Sequence, residues 1–408
     1  MISVAEARQF VLSSCRRLPA AEVATADALG LVLAEPVRSD GPVPPFANSS
    51  MDGFALRSRD VRRSPARLRV VGEVMAGDDP GALTVGDGEA VRIMTGAALP
   101  LGADAVCMVE HTRSENGWVM IEEAVPPGNS IRPAGDDIAP GAVVFAPGVR
   151  LGPAHLGVLA SVGVEHVRAY PRPRVGVAST GDELVTAPGP LPPGKIRDSN
   201  RASLLARLRA DGFVGVDLGL VRDEPTVLAE TLRAALRSCD AVLTSGGVSV
   251  GDRDFVKLVL EELGGQNARW LQVAVRPGKP FAFSTLPPSG APVFGLPGNP
   301  VSALVSYEVL ARPSLRLMAG HANLDRPRMA AIAGVDLSRQ PDGRLHLARV
   351  HAVTGPDGAL VVRPSGGQGS HQLHALAEAN ALAYLPDGYG VAAGERVDVM
   401  VLDPDELD

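Results

Sequence analysis

Residues 241–252 read Ala-Val-Leu-Thr-Ser-Gly-Gly-Val-Ser-Val-Gly-Asp, a short apolar run that breaks into a glycine-rich loop. Such a run, bounded by turn residues and too short for a helix, predicts a buried strand over 241–245. The same texture recurs on both sides. Strands are predicted at 174–179, 214–221 and 292–296. Helices are predicted at 199–211, 225–237, 253–263 and 300–318. Leu228, Leu232 and Leu236 fall on one face of the second helix. Alternating strands and helices imply a parallel sheet with crossover helices, an α/β domain.

Outward from this block the pattern changes. Ser3 followed by Glu6 is a capping box, and Ala7, Phe10 and Val11 continue at helical spacing, so 4–17 reads as an opening helix. Residues 40–48 are rich in Pro and Gly and mark a break. From Leu68 to Ile138 short alternating runs, such as Glu89-Ala90-Val91-Arg92-Ile93, are separated by turns and predict a β-rich module. A short helix is expected at 153–163 and a linker at 171–173. From Arg328 onward, short β runs return.

With 408 residues the chain is too long for one ordinary core. A charged fraction of 21% and an apolar fraction of 45% are ordinary for a globular protein. No apolar run has the length of a membrane span, and residues 1–6 do not resemble a secretory signal. Three widely spaced cysteines, Cys15, Cys107 and Cys239, argue against a disulfide framework and suit a reducing, cytoplasmic setting. A net charge of −7 gives no general attraction to nucleic acid; the basic stretch 57–69 reads as a solvated face. Only Lys195, Lys257 and Lys279 of the 39 basic residues are lysine. A position that keeps Lys in such a chain calls for a compact, flexible ammonium, or holds it by chance.

In a parallel α/β sheet, ligands bind beyond the carboxyl ends of the strands. The first strand runs into Ser179-Thr180-Gly181-Asp182-Glu183, the third into the loop from Ser245 to Asp252, and the last into Pro297-Gly298-Asn299-Pro300. Asn299 suits an N-cap and Pro300 the first helical position, which leaves free N–H groups for an anion. Glycines there admit a phosphate closely, although helix starts carry Gly and Ser for structural reasons too. Arg276-Pro277-Gly278-Lys279-Pro280 brings two cations on a stiffened loop. Glu183, Asp198, Asp223, Asp252 and Asp254 gather in the same region, and an anionic ligand beside them calls for Mg²⁺. Asp198 also reads as a helix cap. His371 and His374 lack a third partner for a metal.

These loops, in this order, resemble the molybdopterin molybdenumtransferase family, which includes the C-terminal part of gephyrin. The shared stretches are NSSMDGFA at 48–55, RIMTGA at 92–97, IRPAGDDI at 131–138, STGDEL at 179–184, GKIRDSNR at 194–201, TSGGVSVGDRD at 244–254, RPGKPFAF at 276–283 and GLPGNPVSAL at 295–304.

The resemblance implies a multidomain fold, α/β plus β, in an elongated subunit that forms a homodimer. Its parts would be a linking and dimerisation domain (1–46 and 139–171), an inserted β-rich domain (47–138), a parallel-sheet molybdopterin-binding α/β domain (172–320) and a C-terminal β-barrel-like domain (321–408). It implies Mg²⁺-dependent insertion of molybdate into adenylylated molybdopterin, with release of AMP. Asp52, Glu183, Asp254 and Lys279 would be catalytic. Asp52, Thr95 and Asp137 would reach the cleft from the partner subunit, and Arg132 would contact substrate. Glu183, Asp223 and Asp254 would hold Mg²⁺ or the pterin phosphate. Ser245, Gly246, Gly247, Ser249, Pro297 and Gly298 would contact the pterin substrate, and Arg276, Lys279, Ser302 and Arg349 would form the molybdate pocket. Ala375 would stand where many relatives carry a pocket serine, so one hydrogen bond to the oxyanion is expected to be missing. Expected partners are a molybdopterin adenylyltransferase or acceptor molybdenum enzymes, with no nucleic acid and no membrane insertion. Two alternatives are an adenylyltransferase acting one step earlier and a gephyrin-like peptide-binding scaffold.

Overall fold

The computed structural model describes residues 1–248 and 255–407. The chain divides into two compact units. One comprises Met1–Ala21, Gly30–Ala34 and Ala169–Asp408, the other Glu22–Leu29 and Glu35–Arg168.

The first unit is built on a six-stranded sheet. Its order is Val214–Val221, Arg174–Thr180, Ala241–Ser245, Ala291–Leu296, Pro280–Leu286 and Arg269–Gln272. The first four strands are parallel. The last two each pair antiparallel with their neighbours, so the sheet is mixed where the alternation of strands and helices implied a parallel one. No strand is expected from the sequence at 280–286, because Pro277 and Pro280 mask the pattern. Pro280 is only the first residue of that strand, a position that needs no ladder N–H from it.

Both faces of this sheet are covered, and side-chain alternation shows it. Val175, Val177, Leu243, Phe283 and Phe294 point to one core, with Leu204 and Leu208 of helix Asn200–Ala210 and with Val301 and Tyr307. Ala178, Val242, Ala282 and Val293 point to the other, against Leu228 and Leu232 of helix Pro225–Ala235 and Val256 and Val259 of helix Phe255–Gly264. Strands buried on both sides read as continuous apolar runs, which is why 241–245 stood out.

The opening helix spans Val4–Ser13 and carries the expected capping box: the Glu6 N–H donates to Ser3 Oγ at 3.1 Å, and the Ser3 N–H donates to Glu6 Oε2 at 2.7 Å. It ends earlier than expected, with Ser14 as its C-cap. Ala7 and Val11 enter the first core, and Phe10 meets Phe283 edge-on, ring centroids 5.8 Å apart. The last helix runs from Pro300 to Met318 but widens into a π-helical stretch at Tyr307–Ala311.

C-terminal to it, five strands close a barrel in the order Leu345–Thr354, Leu360–Pro364, Arg328–Ala333, Arg396–Val401 and Ala381–Leu385, which returns to the first. The interior is filled by small residues, among them Ala331, Ala348, Val350, Ala352, Val362, Ala381, Ala383 and Val399. A narrow barrel admits little more.

The second unit carries its own six-stranded sheet, ordered Ala105–Met108, Gly53–Leu56, Glu89–Ile93, Ala66–Val74, Trp118–Ile121 and Thr112–Glu115. Only the Ala66–Val74 and Glu89–Ile93 pair is parallel. Phe54, Leu56, Leu68 and Val119 fill one core, and Ala55, Val74, Val91 and Ile93 the other. Among the described residues, no helix is long and apolar enough to cross a membrane.

Candidate active site

Three strands of the first unit end together, at Thr180, Ser245 and Leu296. After Ser245 the chain turns sharply. Gly246 has φ +99°, and a Cβ there would lie 2.2 Å from the Thr180 carbonyl oxygen, so only glycine fits. Ser245 is buried. Its hydroxyl accepts from Asn200 Nδ2 at 2.7 Å and donates to the Pro297 carbonyl at 3.4 Å. The same Asn200 amide donates to the Gly298 carbonyl at 2.7 Å. Ser249, Asp252 and Asp254 lie outside the described residues.

Asn299 has the extended backbone of an N-cap (φ −64°, ψ 128°), but its side chain makes no capping bond. The Val301 N–H donates to the Ser370 carbonyl at 3.1 Å instead. The helix start is therefore partly satisfied by the segment 366–372, and the expectation of wholly free amides after Pro300 is corrected. Ser302, buried, sits on the next position.

Beside these loops lies a cavity of about 560 Å³. Its walls include Arg276, Lys279, Pro297, Gly298, Ser302 and Arg344, with Gln368, Gly369, Ser370 and His371. Arg276 and Lys279 are carried by a turn that glycine alone can make. Gly278 has φ +111°, and a Cβ would lie 2.8 Å from Ser306 Oγ. Lys279 is exposed, and its ammonium has no partner among the described residues. Arg276 lies 3.5 Å from Asp342.

Arg349 is fully buried and does not itself line the cavity. Its Nη2 donates to the carbonyls of Gly367 at 2.6 Å and Gly369 at 3.2 Å, while Nε and Nη1 are buried without partners. Burial holds this guanidinium below its ordinary pKa. Two bare buried donors on a cation are costly and suit an anion. Gln368 fixes the segment: its Oε1 accepts from the Arg349 N–H at 2.9 Å, and its Nε2 donates to the Arg349 carbonyl at 3.0 Å.

Ala375 is buried on the helix Leu373–Ala377 and does not line the cavity, whereas Ser370 does. Gln368, Ser370 and Arg344 were not singled out from the sequence. Their segments are polar turns whose relation to Arg276 appears only once the barrel is closed.

On the acidic side, Glu183 is exposed and Asp223 half-buried. Burial, and then the charges of Asp182 and Glu183, push the Asp223 carboxyl above its ordinary pKa, against a hydrogen bond from the Asp182 N–H at 3.3 Å. Among the described residues there is no group of three or more His, Cys, Asp and Glu that could hold a metal. Asp198 acts as the expected cap, accepting from the Arg201 N–H at 3.2 Å, and also from Ser179 Oγ at 2.9 Å. His371 lines the cavity, whereas His374 is turned toward Glu378 at 3.9 Å.

In the second unit, Asp52 accepts from the Thr95 N–H at 2.7 Å and from Thr95 Oγ1 at 2.8 Å. These bonds hold its carboxyl below the ordinary range. Arg132 is exposed opposite Asn48 in a short ladder, and Asp137, also exposed, donates its N–H to the Val43 carbonyl at 2.9 Å.

Residues 2–163 match the family described as the MoeA N-terminal region (domain I and II), 176–317 a probable molybdopterin binding domain, and 331–402 the MoeA C-terminal region (domain IV). A molybdopterin molybdenumtransferase of Haemophilus influenzae is 40% identical over 91% of this chain and 91% of its own length. The one from Nostoc sp. is 39% identical over 91% and 86%. A solved molybdopterin biosynthesis protein of Pyrococcus horikoshii superposes with a TM-score of 0.82 at 31% identity, covering 99% of each chain.

Proposed function

The chain belongs to the molybdopterin molybdenumtransferase family, and on that premise we propose that it inserts molybdate into adenylylated molybdopterin, releasing AMP and leaving molybdenum cofactor. One observation carries this reading. Arg276 and Lys279 stand over a cavity beside the Ser245 and Pro297 loops, where a parallel sheet presents ligands. Lys279 and Arg276 attract the tetrahedral dianion, and Ser302 donates to it. The Ser245–Gly247 and Pro297–Gly298 loops receive the pterin phosphate.

Mg²⁺ fits the acidic side. Burial and the charges of Asp182 and Glu183 push the Asp223 carboxyl up, and a divalent cation there would relieve that repulsion. Glu183 and Asp223, with Asp254, would hold it, and it would neutralise charge on the phosphate as AMP departs. Asp52, held by Thr95, is assigned with Arg132 and Asp137 to completing the site of a second subunit in a homodimer, working in the cytoplasm. A peptide-binding scaffold is not favoured by the relatives found.

The test is incubation of the purified chain with adenylylated molybdopterin, Mg²⁺ and molybdate, with AMP followed. AMP release that depends on both Mg²⁺ and molybdate is expected. No release under these conditions would sink the reading.

A further inference from the structure

Arg344 lines the cavity, one residue before the strand Leu345–Thr354. That strand pairs in parallel with Val275–Arg276, Val275 opposite Leu345 and Arg276 opposite His346. The register puts Arg276 opposite His346, two residues beyond Arg344, and both arginines line the cavity and approach the same carboxylate, Asp342.

One carboxylate organises them. Asp342 takes Arg344 in a two-pronged contact, Nε to Oδ2 at 3.0 Å and Nη2 to the same oxygen. Its Oδ1 accepts from Arg339 Nη2 at 2.8 Å. Asp342 is itself anchored, its N–H donating to Asp387 Oδ1 at 2.9 Å. Burial opposes its ionisation, but the hydrogen bond and charge of Arg344, with the charge of Arg339, hold its carboxyl below the ordinary range. Arg276 is only 3.5 Å away, outside hydrogen-bond reach for a charged pair, and so keeps its donors free.

The charges do not cancel. Arg276, Arg339 and Arg344 face Asp342 and Asp387, which leaves one positive charge, and the Lys279 ammonium adds a second. An excess of this sign beside a cavity calls for an anion.

We propose that Arg344 is a further anion-contacting residue of this cavity, and that Asp342 is a positioning residue that holds Arg344 beside Arg276 to receive a tetrahedral dianion. The proposal rests on the assignment of this cavity as the molybdate pocket. Arg344 offers a rigid fork whose donors not committed to Asp342 are free for the ligand, so removing it costs one charge-assisted contact.

The experiment measures molybdate dependence of AMP release, and molybdate binding by equilibrium dialysis without the pterin, on the full chain. Arg344→Met is expected to raise the half-saturating molybdate about tenfold, with kcat within about twofold and binding of adenylylated molybdopterin unchanged. Asp342→Asn should shift molybdate the same way, and Asp342→Glu should restore most of the loss. Arg344→Lys, which keeps the charge and loses the fork, should give a smaller rise and serves if the Met variant does not fold. Lys279→Ala is run in parallel. If it weakens molybdate use while Arg344→Met and Arg344→Lys leave it at the wild-type value, Arg344 is a purely structural residue and the proposal is overturned. If Lys279→Ala is also without effect, the molybdate assignment of the cavity itself falls. A wild-type molybdate dependence in Asp342→Asn overturns the positioning role.

Discussion

The Asn200 side-chain amide donates to the buried Ser245 hydroxyl at 2.7 Å, and a second bond of the same length, to the Gly298 carbonyl, ties the ends of two parallel strands into one wall. Asn200 opens the helix Asn200–Ala210, so three elements meet at one amide. The hydroxyl of Ser245 reaches Pro297 only at 3.4 Å, which makes Asn200 its principal partner.

Asn200→Ala removes both bonds and leaves a buried hydroxyl poorly satisfied. It should lower stability by about 1–3 kcal/mol. The loss in kcat for AMP release should be larger than stability alone explains, because the Ser245 and Gly298 loops lose their common anchor. Urea unfolding and AMP release on the same preparation check this. A stability loss with unchanged turnover at temperatures where the variant is folded would make Asn200 a structural residue only.

A different buried group governs the acid limit of the fold. Asp211, at the end of the same helix, accepts from Tyr307 Oη at 2.7 Å, Arg207 Nη2 at 2.8 Å and Arg326 Nη2 at 2.8 Å, and lies 3.2 Å from Arg312 Nε. Burial opposes its charge, but Arg207, Arg326 and Arg312 hold its carboxyl well below the ordinary range. A depressed folded-state pKa contributes stability above the unfolded value, about 3.9, and that stability is lost as pH falls toward the folded value. Asp211→Asn leaves Arg207, Arg312 and Arg326 with Glu308 as their remaining counter-charge and should cost about 3–5 kcal/mol at pH 7. The wild type should approach the variant below about pH 4. Urea midpoints across this range decide it; a constant difference down to pH 2 would contradict the linkage.

The sequence showed the sheet more clearly than the site, for a physical reason. Strands such as Ala241–Ser245 are buried on both faces, so their apolar runs speak for themselves. The strand Pro280–Leu286, flanked on both sides in the sheet, was hidden by Pro277 in the turn before it and by Pro280 at its first position. The π-helical stretch at Tyr307–Ala311 has no local signal, since Glu308 and Arg312 are buried there by partners more than ten residues away, such as Arg326. In the site, Arg276, Lys279 and Ser302 were legible because they sit in motif loops. Arg344 and Ser370 were not, because barrel closure brings polar turns of ordinary composition to the cavity. Arg349 was placed in the pocket by resemblance, whereas its side chain lies buried behind Gln368 and Gly369.

Ser370 and Ala375 offer a direct comparison. Ser370 lines the cavity beside Ser302, while Ala375 is buried, with Gly366 packed close to it. Ser370→Ala should raise the half-saturating molybdate by about three- to tenfold, as expected for one lost hydrogen bond. Ala375→Ser should leave that value unchanged and lower stability slightly, because it adds a hydroxyl to a closed site. The reverse pattern, with molybdate use improved by Ala375→Ser, would restore position 375 to the pocket.

The assignment of Asp52 to a second subunit makes a quantitative statement. Asp52 is fixed by two bonds from Thr95, which hold its carboxylate ionised and oriented. Lys279 stands in the other unit with a free ammonium. If each site takes Asp52 from one subunit and Lys279 from its partner, Asp52→Ala and Lys279→Ala each inactivate both sites of a homodimer. In a mixed dimer the two lesions fall in one site and leave the other intact. Random mixing makes about half of the dimers mixed, each with one working site of two, so activity should recover to roughly a quarter of the wild-type value. The measurement is AMP release after the two variants are unfolded and refolded together, against each refolded alone. Recovery near a quarter supports the shared site. If the mixture stays as inactive as either parent while gel filtration shows dimers, both residues serve the same site within one chain.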